Sequence, residues 1–168
     1  MDAPTHELQT PLGTLTAIAT RRGLAALEFP GPRTARAAGA IAQDAIDDPE
    51  LFDRLGEQLA AYFAADRSAF DLPLDLRGSD FELRVWRALL EIPTGQTRSY
   101  AQIAESLDTP GASRAVGLAN GRNRIAIVVP CHRVIGADGS LTGYGGGLDR
   151  KRKLLELEGA IATEPALF

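Results

Sequence analysis

The single cysteine of this 168-residue chain, Cys131, stands between a proline and a histidine. A lone cysteine is most often a small buried hydrophobic residue. However, the nucleophile of cysteine chemistry is the thiolate, and a nearby histidine is the usual base that produces it near neutral pH. Adjacent side chains rarely point at each other, so we expect His132 to reach Cys131 through a water and a third group to orient His132. The pair predicts a nucleophilic, ionised Cys131.

The segments on either side of this pair suit a sheltered site for a planar ligand. Residues 125–129 are apolar and mostly β-branched, so we expect them to be buried. Residues 143–147 contain four glycines around Tyr144. Such a segment can wrap closely around a ligand and present backbone N–H groups to it. It lacks the Gly-x4-Gly-Lys-Ser/Thr pattern of a phosphate-binding loop.

Two short helices are predicted before the apolar run, at about residues 99–107 and 112–120. The four-residue turn between them is typical of a helix-turn-helix. In the second helix Arg114 is the only long polar residue, whereas readers of the major groove need several long hydrogen-bonding side chains. Small residues there favour a shallow contact in the minor groove with deformation of the DNA. They would equally allow tight packing between helices.

The elements that position these residues predict an α+β fold. Alternation over residues 12–18 and an apolar run at 24–29 predict a β-hairpin. Apolar residues at helical spacing predict a helix from Pro49 to about residue 65. Residues 33–48 are ambiguous and partly helical. A capping box of Ser79 and Glu82 begins a further helix.

The chain is expected to form two domains joined near residues 77–78. Residues 1–78 are predicted to form a small N-terminal α/β domain with a β-hairpin or short sheet. Residues 79–168 are predicted to form a mainly helical domain with the helix-turn-helix, the active-site loop and a C-terminal helix at 149–158. Both lengths lie within the ordinary size range of domains.

Composition and charge narrow the function classes. A single cysteine allows no internal disulfide and no cysteine-based metal cage. The chain has neither a long apolar run nor a recognisable signal peptide at its start, so we expect a cytoplasmic protein with no membrane contact. Residues 1–80 carry seven basic and 13 acidic side chains, whereas residues 81–153 carry 11 basic and six acidic ones. The basic segment suits phosphate contacts. Arginines in an Ala-rich chain could equally reflect composition alone.

A set of short motifs occurs in order from about residue 80 to residue 159. They are Val85-Trp86, Ile92-Pro93-x-Gly95-x-Thr97-x-Ser99-Tyr100, Arg114-Ala115-Val116-Gly117, Asn123, Pro130-Cys131-His132-Arg133-Val134-Ile135 and Gly143-Tyr144-x-Gly146-Gly147. These motifs resemble those of the O6-alkylguanine-DNA alkyltransferase family. The start of the N-terminal hairpin, Thr10-Pro11-x-Gly13, resembles that family more weakly.

The resemblance implies catalytic roles for four residues. Cys131 would accept the alkyl group, and His132 would act as the base through a water. Glu158 would hold His132. Asn123 would brace the turn that joins the helix-turn-helix to the active-site loop.

The resemblance also implies contacts with double-stranded DNA carrying O6-alkylguanine. Tyr100 would place its hydroxyl near N3 of the base, and Arg114 would fill the gap left in the stack by the flipped nucleotide. Backbone groups around Cys131 and Val134 would bind the guanine edge, and Tyr144 with the N–H of Gly145 would meet O6. Small residues of the second helix would lie in the minor groove, namely Ser113, Ala115 and Gly117.

The implied reaction needs neither a metal nor a cofactor, and its thioether product would end activity after one transfer. We expect a monomer. Three departures from the family pattern stand out. Arg124 replaces a proline that often follows the asparagine, Gly145 replaces a small hydroxyl residue, and the N-terminal half lacks the cysteines that bind zinc in some members.

Three alternatives remain open at this stage. Cys131, His132 and Asn123 could form the nucleophile, base and orienting residue of a cysteine hydrolase, although such groups usually converge from distant segments. The protein could sense alkylated bases without reacting, and retention of Cys131 argues against this. A plain helix-turn-helix regulator is disfavoured because the second helix has few base-reading side chains.

Overall fold

The computed structural model describes residues 3–66 and 69–163. Its first part is a three-stranded antiparallel sheet, in the order β1-β2-β3, followed by two helices. The second part holds four helices, a short 3-10 turn and a two-stranded parallel sheet of β4 and β5. The elements are β1 His6–Thr10, β2 Gly13–Thr20, β3 Gly23–Glu28, α1 Pro32–Ile41, α2 Pro49–Phe63, α3 Asp80–Leu90, β4 Arg98–Ser99, α4 Tyr100–Ser106, α5 Ser113–Gly121, the 3-10 turn Cys131–Arg133, β5 Val134–Ile135 and α6 Leu148–Leu157.

The predicted hairpin is confirmed as β2 and β3, and β1 adds a third strand on the other side of β2. Gly23 permits the turn between β2 and β3 because its φ of +136° lies in a region that residues with side chains avoid. The chain of Pro73 also passes there, so a Cβ at Gly23 would lie 2.3 Å from the Pro73 carbonyl oxygen. Glycine is therefore needed for both reasons.

The helices of the first part follow from their caps and apolar spacing. Asp48 caps α2 by accepting a hydrogen bond from the N–H of Leu51, and Pro49 occupies the first turn. The predicted helix from Pro49 is thus confirmed. The ambiguous segment 33–48 contains most of α1, which buries only Ala37 and Ile41.

The helix-turn-helix is confirmed as α4 and α5. The capping box of Ser79 and Glu82 begins α3 as predicted. A second box, formed by Ser99 and Gln102, begins α4. It places α4 directly after β4, which pairs in parallel with β5 and so lies beside the segment that follows Cys131.

One apolar cluster contains residues from both parts of the chain. Backbone hydrogen bonds also join them, because Leu27 of β3 donates to the Arg124 carbonyl at 2.8 Å and accepts from Ala126 at 2.9 Å. The α+β class is confirmed. The boundary at 78/79 stays a prediction. In the part of the chain that the structure describes, no helix is both long and apolar enough to cross a bilayer.

Ser79→Ala is expected to lower the free energy of unfolding by about 0.5–2 kcal/mol, because the N–H of Glu82 loses its capping acceptor. Urea unfolding followed by circular dichroism measures the change. Ser79→Asp keeps an acceptor at the same position and should unfold near the wild-type midpoint. Equal losses in both variants would show that the cap contributes nothing.

Candidate active site

Asn123 shapes the segment that leads from α5 to Cys131. Its Oδ1 accepts a hydrogen bond from the N–H of Ile125 at 3.0 Å, and its Nδ2 donates to the Val129 carbonyl at 2.9 Å. These bonds close the apolar run into a tight loop. The run is buried as predicted, and it forms turns that include a strained Ile127 with φ of +70°. Asn123 is thus placed where it can brace this loop.

Cys131 begins the 3-10 turn and is 7% exposed. Burial raises the pKa of its thiol, and the nearby side-chain amide of Asn123 and the positive charges of Lys151 and Arg33 offset only part of this. In the free protein this direction favours the thiol and opposes the resting thiolate that the sequence predicts, because adjacency to a histidine does not compensate for desolvation.

His132 and Glu158 form a buried pair whose Nε2 and Oε2 atoms are 2.7 Å apart. Burial alone would raise the pKa of Glu158, but hydrogen bonds from His132, Arg133 and Tyr62 together lower it to about 2. Burial lowers the pKa of His132 despite the opposing effect of Glu158. An ionised Glu158 beside a neutral His132 assigns the proton to Nε2, which leaves the lone pair on Nδ1 able to accept a proton. Within the described residues, Nδ1 has no hydrogen-bond partner.

Two residues to which the sequence assigned no role hold Glu158 in place. Arg133 donates from Nε to Oε1 at 2.8 Å and from Nη2 to Oε2 at 2.9 Å. It also donates to the Ile92 carbonyl at 2.8 Å. Tyr62 of α2 donates its hydroxyl to Oε2 at 2.6 Å. Arg133 follows the Cys-His pair directly, whereas Tyr62 fitted the apolar stripe of α2 and gave no separate signal.

Lys151 of α6 holds the segment that follows the 3-10 turn through hydrogen bonds to its backbone. It is fully buried, and its Nζ donates to the carbonyls of Val134 at 2.6 Å and Thr142 at 2.7 Å. Burial lowers its pKa to about 8. Val134 is itself fully buried, with its carbonyl engaged by Lys151. A carbonyl oxygen has two lone pairs, so the Val134 carbonyl can accept a second hydrogen bond, as the predicted contact with a base requires.

The glycine-rich segment lies against α1 and the cysteine loop. The buried Tyr144 hydroxyl has no hydrogen-bond partner in the described part of the chain, and burial raises its pKa well above the ordinary value. A Cβ at Gly145 would lie 2.7 Å from Arg33 Cζ. Arg33 in turn donates to the carbonyls of Gly121 at 2.7 Å and Asn123 at 2.8 Å. Arg33 lies in the segment that the sequence left ambiguous.

The outer surface of α5 agrees with the small-residue pattern. Arg114 and Ala115 are exposed, and Ser113 is half-buried. Gly117 faces the ring of Tyr100, and a Cβ at this position would be in ordinary van der Waals contact with the ring at 3.7 Å. The Tyr100 hydroxyl lies 3.1 Å from Thr142 Oγ1, so it faces the same segment that Lys151 holds.

At the other end of α5, Arg124 takes part in a basic cleft of about 300 Å³. Arg36 and Arg122 also line it. The side chain of Arg124 thus lines this cleft, and its carbonyl accepts a hydrogen bond from Leu27 of β3. Arginine at this position leaves the hydrogen bonds that close the Asn123 turn in place. Over residues 3–66 and 69–163, no group of three or more His, Cys, Asp or Glu side chains is arranged to hold a metal ion.

Comparison with known proteins matches both parts of the chain to one family. Residues 80–160 match the family model described as 6-O-methylguanine DNA methyltransferase, DNA binding domain. Residues 6–76 match that of the 6-O-methylguanine DNA methyltransferase, ribonuclease-like domain. A Methanosarcina barkeri methylated-DNA–protein-cysteine methyltransferase is 47% identical over 152 residues, which cover 90% of this chain and 94% of that protein. A Mycobacterium tuberculosis protein of the same name is 66% identical over 111 residues, 66% of this chain and 67% of the relative.

Solved structures of the same family also resemble this chain. A crystal structure of Mycobacterium tuberculosis O6-methylguanine methyltransferase has a TM-score of 0.80 at 48% identity, covering 98% of this chain and 97% of that one. A structure of Mycobacterium tuberculosis OGT in complex with DNA has a TM-score of 0.78 at 52% identity, covering 92% and 91%. The fold and the site thus define an α+β protein with a DNA-binding helical domain and a buried cysteine. The chain belongs to the O6-alkylguanine-DNA alkyltransferase family, as its motifs predicted.

The buried pair of His132 and Glu158 predicts a loss of stability in acid. The pKa of Glu158 is about 2 in the folded protein against an ordinary 4.5, so its stabilisation is complete above pH 4.5 and is lost as the pH falls towards 2. His132, whose pKa is also lowered, resists protonation in the folded state, so it removes further stability below its ordinary value of 6.5.

Urea unfolding at a series of pH values measures this effect. In Glu158→Gln the decline in the free energy of unfolding between pH 4.5 and 2 should become shallower than in the wild type. The two slopes are compared, since the variant starts from a lower stability. Parallel declines would contradict the assignment of an ionised Glu158.

Proposed function

We propose that this protein repairs DNA by moving the alkyl group of O6-alkylguanine to Sγ of its own Cys131, once per molecule. Its enzyme class, methylated-DNA–protein-cysteine methyltransferase, follows from the family to which the chain belongs. The observation that supports the assignment of the site is that the buried Cys131 is followed by a neutral His132. The Nε2–H of His132 donates a hydrogen bond to an ionised Glu158. This arrangement supplies a nucleophile and a base that are not exposed to bulk water.

The transfer step uses these residues in order. The Cys131 proton passes to Nδ1 of His132, through a water as the sequence predicts, and the resulting imidazolium is stabilised by Glu158. Sγ then attacks the alkyl carbon, the bond from that carbon to O6 breaks, and its electron pair stays on the guanine. The Tyr144 hydroxyl and the N–H of Gly145 would stabilise this charge at O6.

The product explains why one molecule reacts once. A thioether is a poor leaving group, and the reaction as proposed includes no step that restores the thiol. Neither a metal nor a cofactor enters the chemistry. Because burial raises the pKa of Cys131 in the free protein, alkylating agents that do not bind at the site should react with the thiol slowly.

DNA is the partner of this protein. We place the duplex along α5, with its minor groove over Ser113, Ala115 and Gly117, whose small side chains let the backbone approach closely. Arg114 would replace the flipped guanine in the stack, and Tyr100 would approach N3 of that base. The protein would act as a cytoplasmic monomer, with residues 79–168 as the reacting domain and residues 1–78 as its N-terminal support.

Entry of a purine requires movement, since Cys131 is only 7% exposed. The segment 143–147 can supply this movement, because Gly143 and Gly147 have positive φ values at its two ends and leave the backbone free of Cβ atoms. Tyr144 would then exchange its buried position for a contact with the base.

Cys131→Ala is expected to abolish alkyl transfer and to keep DNA affinity, because Sγ contributes to the bond being formed and not to the α5 surface. The wild type is incubated with an O6-methylguanine duplex and mapped by peptide mass spectrometry, with the unmodified duplex as control. One added methylene per molecule on Cys131 supports transfer. Tight binding with an unchanged thiol titre supports a sensor, and multiple-turnover cleavage of an ester supports a hydrolase.

Arg114→Ala should slow transfer from duplex DNA by a factor on the order of 10 to 100, because base extrusion costs a few kcal/mol that Arg114 partly offsets. Transfer from the free base O6-benzylguanine should be unchanged, since no stack has to be opened. Arg21→Ala, a change at the turn between β2 and β3, controls for loss of positive charge. Equal loss with the duplex and the free base would remove Arg114 from this role.

A further inference from the structure

We propose that Tyr62 of α2 is a positioning residue for alkyl transfer, which holds the Glu158 carboxylate against His132. This inference rests on the proposed function, because it adds a member to the same site. Oε2 of Glu158 lies 2.6 Å from the Tyr62 hydroxyl and 2.7 Å from His132 Nε2. One carboxylate oxygen thus joins the first part of the chain to the base in the second part.

The Tyr62 hydroxyl is fixed in place by its surroundings. The residue is 2% exposed, and its ring packs edge-on against Phe63 and at a tilt against Phe70, with centroids 5.2 and 5.5 Å away. Burial, and next to it the negative charge of Glu158, raises the pKa of Tyr62. The hydroxyl therefore keeps its proton and donates a hydrogen bond to Glu158. A rigid donor of this kind restricts Oε2 without having to be ordered during the reaction.

Tyr62 and Arg133 act on the carboxylate in different ways. Arg133 contacts both oxygens, so it fixes the plane of the carboxylate through two hydrogen bonds. Tyr62 contacts only Oε2, the oxygen that His132 also contacts. Loss of the Tyr62 hydroxyl therefore changes the charge and position of the atom that holds His132, and leaves the Arg133 contacts in place.

Two effects on the chemistry follow. A less restricted Oε2 orients the His132 ring less well, which slows removal of the Cys131 proton. An Oε2 that has lost one donor carries more negative charge towards Nε2, which raises the pKa of His132. The proton still passes from Sγ to Nδ1, and Tyr62 keeps its own proton throughout. A residue with a purely structural role would change the stability and neither of these properties.

The test is Tyr62→Phe, which removes the hydroxyl and keeps the ring. Because each molecule reacts once, the final amount of methylated protein counts the folded molecules, and the rate constant reports the chemistry of those molecules alone. With an O6-methylguanine duplex the rate constant should fall about 2- to 12-fold, the range that corresponds to one net hydrogen bond. The acid limb of its pH profile should move to higher pH.

A double-mutant cycle and a matched control complete the test. In a Glu158→Gln background, Tyr62→Phe should have much less effect on the rate, because the carboxylate that it serves is gone. Thr20→Val removes another buried hydroxyl of the first part, which donates to Asp75 at 2.7 Å away from the site. It should change the stability and leave the rate constant and the pH profile of the folded molecules unchanged.

Methyl iodide separates failure of this inference from failure of the proposed function. It methylates Cys131 with release of iodide and needs neither DNA nor a base pocket, so the same shift of the acid limb should appear with it. A wild type that takes no methyl group from the duplex contradicts the proposed function. A Tyr62→Phe protein with the wild-type rate and acid limb for both reagents overturns the role of Tyr62. So does an undiminished effect in the Glu158→Gln background.

Discussion

The buried negative charge of Glu158 is the constraint around which the site is organised. A carboxylate removed from water costs several kcal/mol unless hydrogen bonds and opposite charge compensate it. Here three side chains provide that compensation, at distances of 2.6 to 2.9 Å. Tyr62 belongs to α2, and His132 and Arg133 both belong to the 3-10 turn. The arrangement of His132 and Glu158 that the proposed function uses therefore requires both parts of the chain to be folded and packed together.

The burial of Cys131, unlike that of Glu158, is compensated only in part by neighbouring donors and charges. Asn123, Lys151 and Arg33 offset only part of the desolvation of Cys131, which favours its thiol. The residue lies in a loop that Asn123 closes and that contains a strained Ile127. The same loop begins where α5 ends, and Arg33 contacts both the end of α5 and Asn123. The last turn of α5 also reaches Cys131 directly, because Asn120 Nδ2 donates to the Cys131 carbonyl at 3.3 Å. DNA bound on α5 as proposed would therefore be linked to the cysteine through this helix.

Local signals predicted much of the architecture, because they depend on neighbouring residues. The cap at Ser79, the helix start at Pro49, the alternation in β2 and the two helices on either side of residues 108–111 all follow from short-range propensity and spacing. The motifs also led to Cys131, His132 and Glu158, and the structure brings the last two into contact. Tyr62 and Arg33 had no such signal, since an apolar helix face and an ambiguous segment look the same whether or not they touch a site.

The amino-acid sequence by itself determined the family, the α+β class and the identity of the nucleophile, because these depend on residue types in a fixed order. Only the tertiary structure decided the protonation states. Whether a carboxylate, an imidazole or a thiol is charged depends on how far it is removed from water and on which donors reach it, and those donors come from residues up to 96 positions away along the chain. Adjacency in the sequence suggested an ionised Cys131, whereas burial in the folded protein favours its thiol.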